Sequence, residues 1–224
     1  MSYRSKEKQM SDLRGFTIIS PGAAADNTWV GAHSDKFGNL YSLPAELGLT
    51  MDGRLYGAHF GTVTTPIATQ ATTALAATRP QAWLRVADGT AIVPLSVNIV
   101  VEATGATTQG EISIAICQND VGNGTSAAGT SGPISLNTAV PRASAVLARQ
   151  LATAAVTAET NLLELKRFSF AASAVNQDFS WNARSLVIPL VLRGPASFLV
   201  YVGGNAVNFY AQMQWMEFSE SQVS

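Results

Sequence analysis

Residues 207–218, VNFYAQMQWMEF, alternate apolar and polar side chains along most of their length. The apolar positions are Val207, Phe209, Ala211, Met213 and Trp215, and the positions between them are Asn208, Tyr210, Gln212 and Gln214. Successive side chains of an extended strand point to opposite faces. The segment is therefore predicted to be a strand with an apolar face in the core and a polar face outside it.

The same period of two runs through residues 91–103. One face would carry Val93, Leu95, Val97, Ile99 and Val101, and the other Pro94, Ser96, Asn98, Val100 and Glu102. Pro94 has no N–H to donate to a β-ladder. Its end of the strand is therefore predicted to lie at a sheet edge or at a bulge.

Shorter strands are predicted at residues 15–20, 82–86, 111–118, 162–170 and 197–202. In 111–118 we expect Ile112, Ile114 and Ile116 to face inward and Cys117 to lie on the opposite face. The turn residues Asp88-Gly89 and 203–206 predict hairpins. Residues 142–157 are rich in Ala, with apolar residues at helical spacing, and predict the single helix. About eight or nine strands and at most one short helix indicate an all-β sandwich or barrel.

The chain of 224 residues is long enough for one sizeable core. We expect residues 1–14 to form a flexible N-terminal arm and residues 15–224 to form a single β-sandwich domain. Within that domain, 21–66 would make an extended loop region with at most one or two short edge strands. A second long loop, 119–133, is rich in Gly, Ser and Thr. Two interpretations of the arm stay open, a frayed terminus and a segment that orders on a partner.

Charged residues make up only 13% of the chain, and the formal net charge is −1. That share is about half the roughly 25% of ordinary globular domains, so little self-repulsion opposes packing against neighbours. A net charge this close to zero predicts no electrostatic attraction to nucleic acid or to an anionic membrane. The lone cysteine, Cys117, excludes an internal disulfide framework. We also expect no signal peptide and no membrane span, because no apolar run is long enough.

The sequence contains no convincing catalytic, metal or cofactor motif. His33, His59 and Cys117 have neither the spacing of zinc ligands nor the context of a catalytic nucleophile. Asp120 lies in a turn cluster that lacks the alternating acids and terminal glutamate of a calcium loop. We therefore expect neither enzymatic activity nor a cofactor. One alternative stays open, a hydrolase whose scattered carboxylates meet in space.

Three segments together carry a resemblance to a known class of proteins. They are residues 84–104 (LRVADGTAIVPLSVNIVVEAT), the glycine-rich loop 119–133 and the closing strand AQMQWMEF. In this combination the chain resembles virion proteins of tailed bacteriophages, in particular jelly-roll proteins that decorate or cement capsids or sit at the head–tail junction. The resemblance implies a jelly-roll-like antiparallel β-sandwich with long loops and assembly on a major capsid protein, commonly as dimers or trimers. It implies location in the virion after synthesis in the host cytoplasm.

The first functional hypothesis is therefore a non-enzymatic structural protein of a virus particle. It would decorate or cement the capsid, or sit at the head–tail junction, through loop-mediated contacts of segments 21–66 and 119–133. Its partners would be the major capsid protein or other virion proteins, with no nucleic acid and no membrane. The candidate partner-binding residues are the basic side chains of the arm and the aromatic residues of the first loop region: Arg4, Lys6, Lys8, Arg14, Trp29, Phe37 and Tyr41. The alternative is a receptor- or carbohydrate-binding module of a phage appendage. In that case tryptophans such as Trp29 and Trp181 would be exposed and would stack on sugars.

Overall fold

The computed structural model describes residues 52–62, 64–69, 75–103, 109–122, 127–128, 131–139, 141–150, 161–186, 190–204 and 207–222. These residues form β-strands and two 3-10 turns, at Ala183–Ser185 and Glu220–Gln222, with no α-helix among them. The strands are β1 Leu55–Phe60, β2 Ile67–Ala68, β3 Ala82–Val86, β4 Thr90–Val101, β5 Gly110–Cys117, β6 Ala127–Ala128, β7 Ser131–Ser135, β8 Leu147–Gln150, β9 Leu162–Phe170, β10 Gln177–Asn182, β11 Leu192–Arg193, β12 Ala196–Gly204 and β13 Asn208–Ser219.

The strands belong to two sheets in which every pairing is antiparallel. The first sheet has the order β10-β4-β13-β1-β7, with β11 beside β4 and β2 beside β13. The second sheet has the order β6-β8-β3-β12-β5-β9. The chain is thus an all-β sandwich, as predicted.

Eight of the strands pair in a nested manner. Taken in chain order, they are β1, β3, β4, β5, β9, β10, β12 and β13. The first pairs with the eighth, the second with the seventh, the third with the sixth and the fourth with the fifth. This is the pairing of one long antiparallel ribbon rolled into two four-stranded sheets, which is the jelly-roll arrangement.

The main core lies between the two sheets. In β13 the alternation is confirmed, since Phe209, Met213 and Trp215 are fully buried while Asn208 and Gln212 are exposed. Ile112, Ile114 and Ile116 of β5 face the same interior, as predicted. Burying one such large apolar side chain stabilises the fold by about 1.5–3 kcal/mol. Repeated along many strands, this burial holds the two sheets together.

The outer face of the second sheet is buried as well. A second apolar cluster lies there, formed by Trp83, Ala115, Cys117, Val121, Leu199 and Tyr201. Two side-chain hydrogen bonds connect this cluster to neighbouring segments. The Tyr201 hydroxyl donates to the carbonyl of Ala77 at 2.9 Å, and the Trp83 indole N–H donates to the carbonyl of Gly122 at 3.4 Å. Strand β12 is consequently buried along its whole length, which explains its continuous apolar sequence.

The prediction for the first half of β4 is only partly right. A bulge interrupts the pairing of β4 with β13, because Gln214 lies opposite Ser96 but Trp215 lies opposite Pro94. One extra residue shifts the alternation, so Ile92 joins the core, whereas Val93 and Leu95 are only half-buried and were wrongly assigned to it. The predicted bulge is confirmed. The alternative of a sheet edge is wrong, since Pro94 lies between the β10 and β11 ladders of a central strand.

Both predicted hairpins are wrong. Strand β3 belongs to the second sheet and β4 to the first, and likewise β12 and β13 lie in different sheets. Gly89 adopts the positive φ of 76° that suits a tight turn. At Asp88-Gly89 the chain reverses, and it also crosses from the second sheet to the first.

The predicted helix at 142–157 is wrong at Leu147–Gln150, which form β8 between β3 and β6; residues 151–157 lie outside the described residues. Pairing on both sides outweighs the helix propensity of Leu, Ala, Arg and Gln. In the predicted loop region 21–66, Leu55–Phe60 form a strand inside the first sheet rather than at its edge. The predicted loop 119–133 contains β6 and the start of β7. The arm 1–14 and the strand 15–20 lie outside the described residues.

Candidate functional site

The seven residues predicted to bind a partner lie outside the described residues. They are Arg4, Lys6, Lys8, Arg14, Trp29, Phe37 and Tyr41. The same holds for His33. Their role therefore stays a prediction, and the candidate sites described next come from other parts of the chain.

The first candidate site is the part of the outer face of the first sheet that β10, β4, β13 and β1 form, here called the polar face. It consists of His59, Ser96, Asn98, Val100, Asp178, Ser180, Asn182, Tyr210, Gln212 and Gln214. These residues alternate with core side chains on four neighbouring strands. Among the ten, Asp178 is the only acid, and none is Lys or Arg.

Cross-strand register places these side chains in rows. One row runs Ser180, Asn98, Gln212, His59 across strands β10, β4, β13 and β1. The next row runs Asn182, Ser96, Gln214. Directly opposite residues of an antiparallel pair have Cβ atoms only about 5 Å apart. The rows therefore form a continuous sheet of amide and hydroxyl groups.

Two contacts within the polar face order it further. The Ser96 hydroxyl donates to Gln214 Oε1 at 3.3 Å. The rings of His59 and Tyr210 stack with centroids 6.4 Å apart and an interplanar angle of 17°. Partial burial, together with the nearby charge of Glu102, raises the pKa of Tyr210, so its hydroxyl stays a hydrogen-bond donor at neutral pH.

The second candidate site is a cavity of about 290 Å³ at one end of the sandwich, here called the end cavity. It lies where β1 and β4 begin and β13 ends. Its walls are Arg54, Tyr56, Gly89, Thr90, Arg142, Ala143, Glu217, Phe218 and Ser219. The residues come from separate segments, which carry no common motif. Sequence reasoning missed this site for that reason.

Charged side chains lie in and beside the end cavity. Asp52 accepts hydrogen bonds from Arg54 Nε at 2.6 Å and from Arg142 Nη2 at 2.7 Å. Glu217 accepts from the Ser144 hydroxyl at 2.5 Å. Burial is the main reason that the pKa of Tyr56 is raised, and the charge of Glu217 adds to it against the opposing effect of the two arginines. The hydroxyl is thus protonated and donates weakly, at 3.4 Å, to the carbonyl of Ala143.

The other reactive side chains lie apart from one another. His59 is on the outer face of the first sheet, while Cys117 is buried on the outer face of the second. Asp120 is held by a two-point ion pair with Arg85, as expected for a turn residue with a structural role. In the described ranges no three His, Cys, Asp or Glu side chains are grouped so that they could hold a metal ion.

The tryptophans bear on the carbohydrate-binding alternative. Trp83, Trp181 and Trp215 are at most 4% exposed, and Trp181 packs on Phe198 with ring centroids 5.7 Å apart. These three side chains therefore cannot stack on a sugar, which contradicts the expectation for Trp181. Trp29 lies outside the described residues.

The described segments contain no helix with the length and hydropathy needed to cross a membrane. Comparison of the chain with protein-family models, with curated proteins and with solved structures found no match.

Proposed function

We propose that the protein is a non-enzymatic structural protein of a virus particle that decorates or cements the capsid, or occupies the head–tail junction, by docking through the polar face. The observation that carries this proposal is the low charge of that face, where Asp178 is the only charged member and Glu102 adjoins Tyr210 at the margin. Desolvating a full charge costs several kcal/mol unless a partner replaces its water. Amide and hydroxyl groups cost less and can each find a donor or an acceptor on a neighbouring chain.

The size of the polar face suits a repeated contact. Four strands about 4.8 Å apart and five residues of each strand span roughly 14 Å by 14 Å, or roughly 200 Å². A stable isolated interface covers about 800 Å² on each partner. The polar face would therefore be the centre of a larger contact or one of many weak contacts on a capsid lattice. The jelly-roll fold supports this proposal only by analogy, because the fold serves many functions, viral capsid and lectin domains among them.

A direct test measures how much protein co-sediments with particles of the virus that encodes it, prepared without the protein. We expect Gln212→Glu, alone and with Asn98→Asp, to reduce bound protein strongly, because each change buries a charge in the contact. Gln118→Glu, at an exposed position outside the polar face, is the matched control and should bind as the unchanged protein does. Equal binding by all variants would remove the polar face from the proposal.

The same assay tests the predicted arm. Deletion of residues 1–14 should lower particle occupancy if Arg4, Lys6, Lys8 and Arg14 pair with acids on the partner. Unchanged occupancy would leave the arm as a frayed terminus. Size-exclusion chromatography with light scattering of the purified chain tests the expected dimer or trimer.

A further inference from the structure

The end cavity combines charges that cancel with hydrogen-bonding groups that are not fully used. Arg54, Arg142 and Glu217 line the cavity. Asp52 is not a lining residue but pairs with both arginines, so the group as a whole carries two positive and two negative charges. Asp52 joins the two arginines, and Arg142 and Glu217 line the same cavity beside Tyr56. A ligand with a net charge would leave this set unbalanced. A ligand whose own charges cancel would not.

Arg142 is the donor side of the cavity. A guanidinium carries five N–H groups, and Arg142 uses one nitrogen, Nη2, on Asp52. Its other N–H groups have no partner among the described residues, and the side chain is 47% exposed. A planar carboxylate fits such a fork with two parallel hydrogen bonds.

Glu217 is the acceptor side. Its two oxygens accept from the Ser144 hydroxyl at 2.5 Å and from the backbone N–H of Ala145 at 2.9 Å, which fix the carboxylate in place. An ionised carboxylate offers about four acceptor positions, so about two remain for a ligand. An ammonium group would use them and would balance the negative charge.

We propose that the end cavity binds a small zwitterion of the α-amino acid class, with its carboxylate on Arg142 and its ammonium group on Glu217. The volume of about 290 Å³ is near the lower limit of small-molecule sites and holds a ligand of this size. This inference goes beyond the proposed docking function. The two use different residues, so either can fail without the other.

Isothermal titration of the full chain with three related probes tests the site. We expect L-alanine to bind with a dissociation constant on the order of 1 mM. N-acetyl-L-alanine lacks the ammonium group and L-alaninamide lacks the carboxylate, and each should bind at least about tenfold more weakly, which corresponds to one lost charge-assisted contact. No binding of L-alanine, or equal binding of either derivative, would overturn the proposal.

Variants then assign the two sides of the cavity. Arg142→Gln and Glu217→Gln should each weaken L-alanine binding about tenfold or more. Arg167→Gln is the matched control, since Arg167 is 51% exposed and also pairs with carboxylates, but lies on β9. Circular dichroism confirms that each variant is folded, and Arg142→Met, which also removes the charge, replaces Arg142→Gln if the latter unfolds. Unchanged binding in the folded variants would contradict the assignment.

Discussion

Tyr56 and Trp215 are directly opposite each other on β1 and β13, and their rings lie nearly parallel with centroids 6.0 Å apart. Both side chains are buried, Trp215 completely. The contact joins the first and the last strand of the jelly roll. Because these two strands are the farthest apart in sequence, their pairing closes the rolled ribbon. The indole Nε1–H is also buried and has no hydrogen-bond partner within the described residues.

Trp215→Ala should lower the free energy of unfolding by about 3–5 kcal/mol, because it leaves a large cavity at this closure. Trp215→Phe should cost much less. It keeps an aromatic ring against Tyr56 and removes an N–H whose burial without a partner is unfavourable. Urea denaturation of the three proteins measures both differences. Equal losses for the Ala and Phe variants would show that a phenyl ring against Tyr56 does not replace the packing of the indole.

Gly110→Ala should destabilise the protein by several kcal/mol or prevent folding. A Cβ atom at this position would lie 1.8 Å from the carbonyl oxygen of Gly203 and 2.5 Å from the Phe170 ring. Overpacking against backbone cannot be relieved by a change of rotamer. Gly132→Ala is the control, since a Cβ there meets nothing within 4 Å. Thermal unfolding should place Gly132→Ala close to the unchanged protein.

The Arg85–Asp120 ion pair should make the free energy of unfolding depend on pH in the acid range. Burial by itself would raise the pKa of Asp120, but the hydrogen bonds from Arg85 and from the N–H of Gly122 outweigh it and lower the pKa below its ordinary value of 3.8. A carboxyl with a lowered folded pKa stabilises the fold above its unfolded pKa. It loses that contribution as the pH falls through the folded value. We expect this loss in acid, as the pH falls below the ordinary pKa of 3.8.

Asp120→Asn should be less stable than the unchanged protein at pH 7, by on the order of 1 kcal/mol, and this difference should shrink in acid. Glu164→Gln serves for comparison. The hydrogen bonds from Arg167 lower the pKa of Glu164, but this ion pair is on the surface and solvent screens it. Chemical denaturation across the pH range should show the larger acid dependence for Asp120. A larger effect of Glu164 would contradict the ranking.

Cys117 should not react with a thiol reagent in the native protein. It is fully buried in the cluster with Trp83 and Leu199. Labelling should therefore proceed only as fast as the fold opens, and at once in guanidinium. A Cys117→Ser, Ser169→Cys double variant supplies an exposed thiol on β9 and should react immediately without denaturant. Rapid labelling of native Cys117 would show that the second cluster is open to solvent.

The period-two patterns were the reliable part of the sequence. They identified the strand at 207–218 and the inward faces of β5 and β13, because burial of alternate side chains is a local property of an extended segment. They were wrong wherever a single residue interrupted the period, as the bulge between Ser96 and Pro94 did. Leu147–Gln150 show the other limit, since a strand held by neighbours on both sides need not have strand propensity of its own.

The candidate sites, too, could be predicted from the sequence only in part. Asn98, Gln212 and Gln214 were recognisable as outward residues, but only the register of β4 against β13 places them in adjacent rows of one face. No sequence motif predicts the end cavity, because Asp52, Arg142 and Glu217 come together only in the folded sandwich. The arm and the aromatic residues of the first loop stay predictions.

By itself, the sequence determined that the described part of the chain forms extended strands with one apolar and one polar face, and that its surface carries little charge. Both are properties of single residues and their immediate spacing. Only the tertiary structure decided which strands pair, which turns cross between sheets, and why the second sheet is apolar on both faces. Strand pairing depends on hydrogen bonds between segments far apart in the chain, and an isolated strand does not encode its partner.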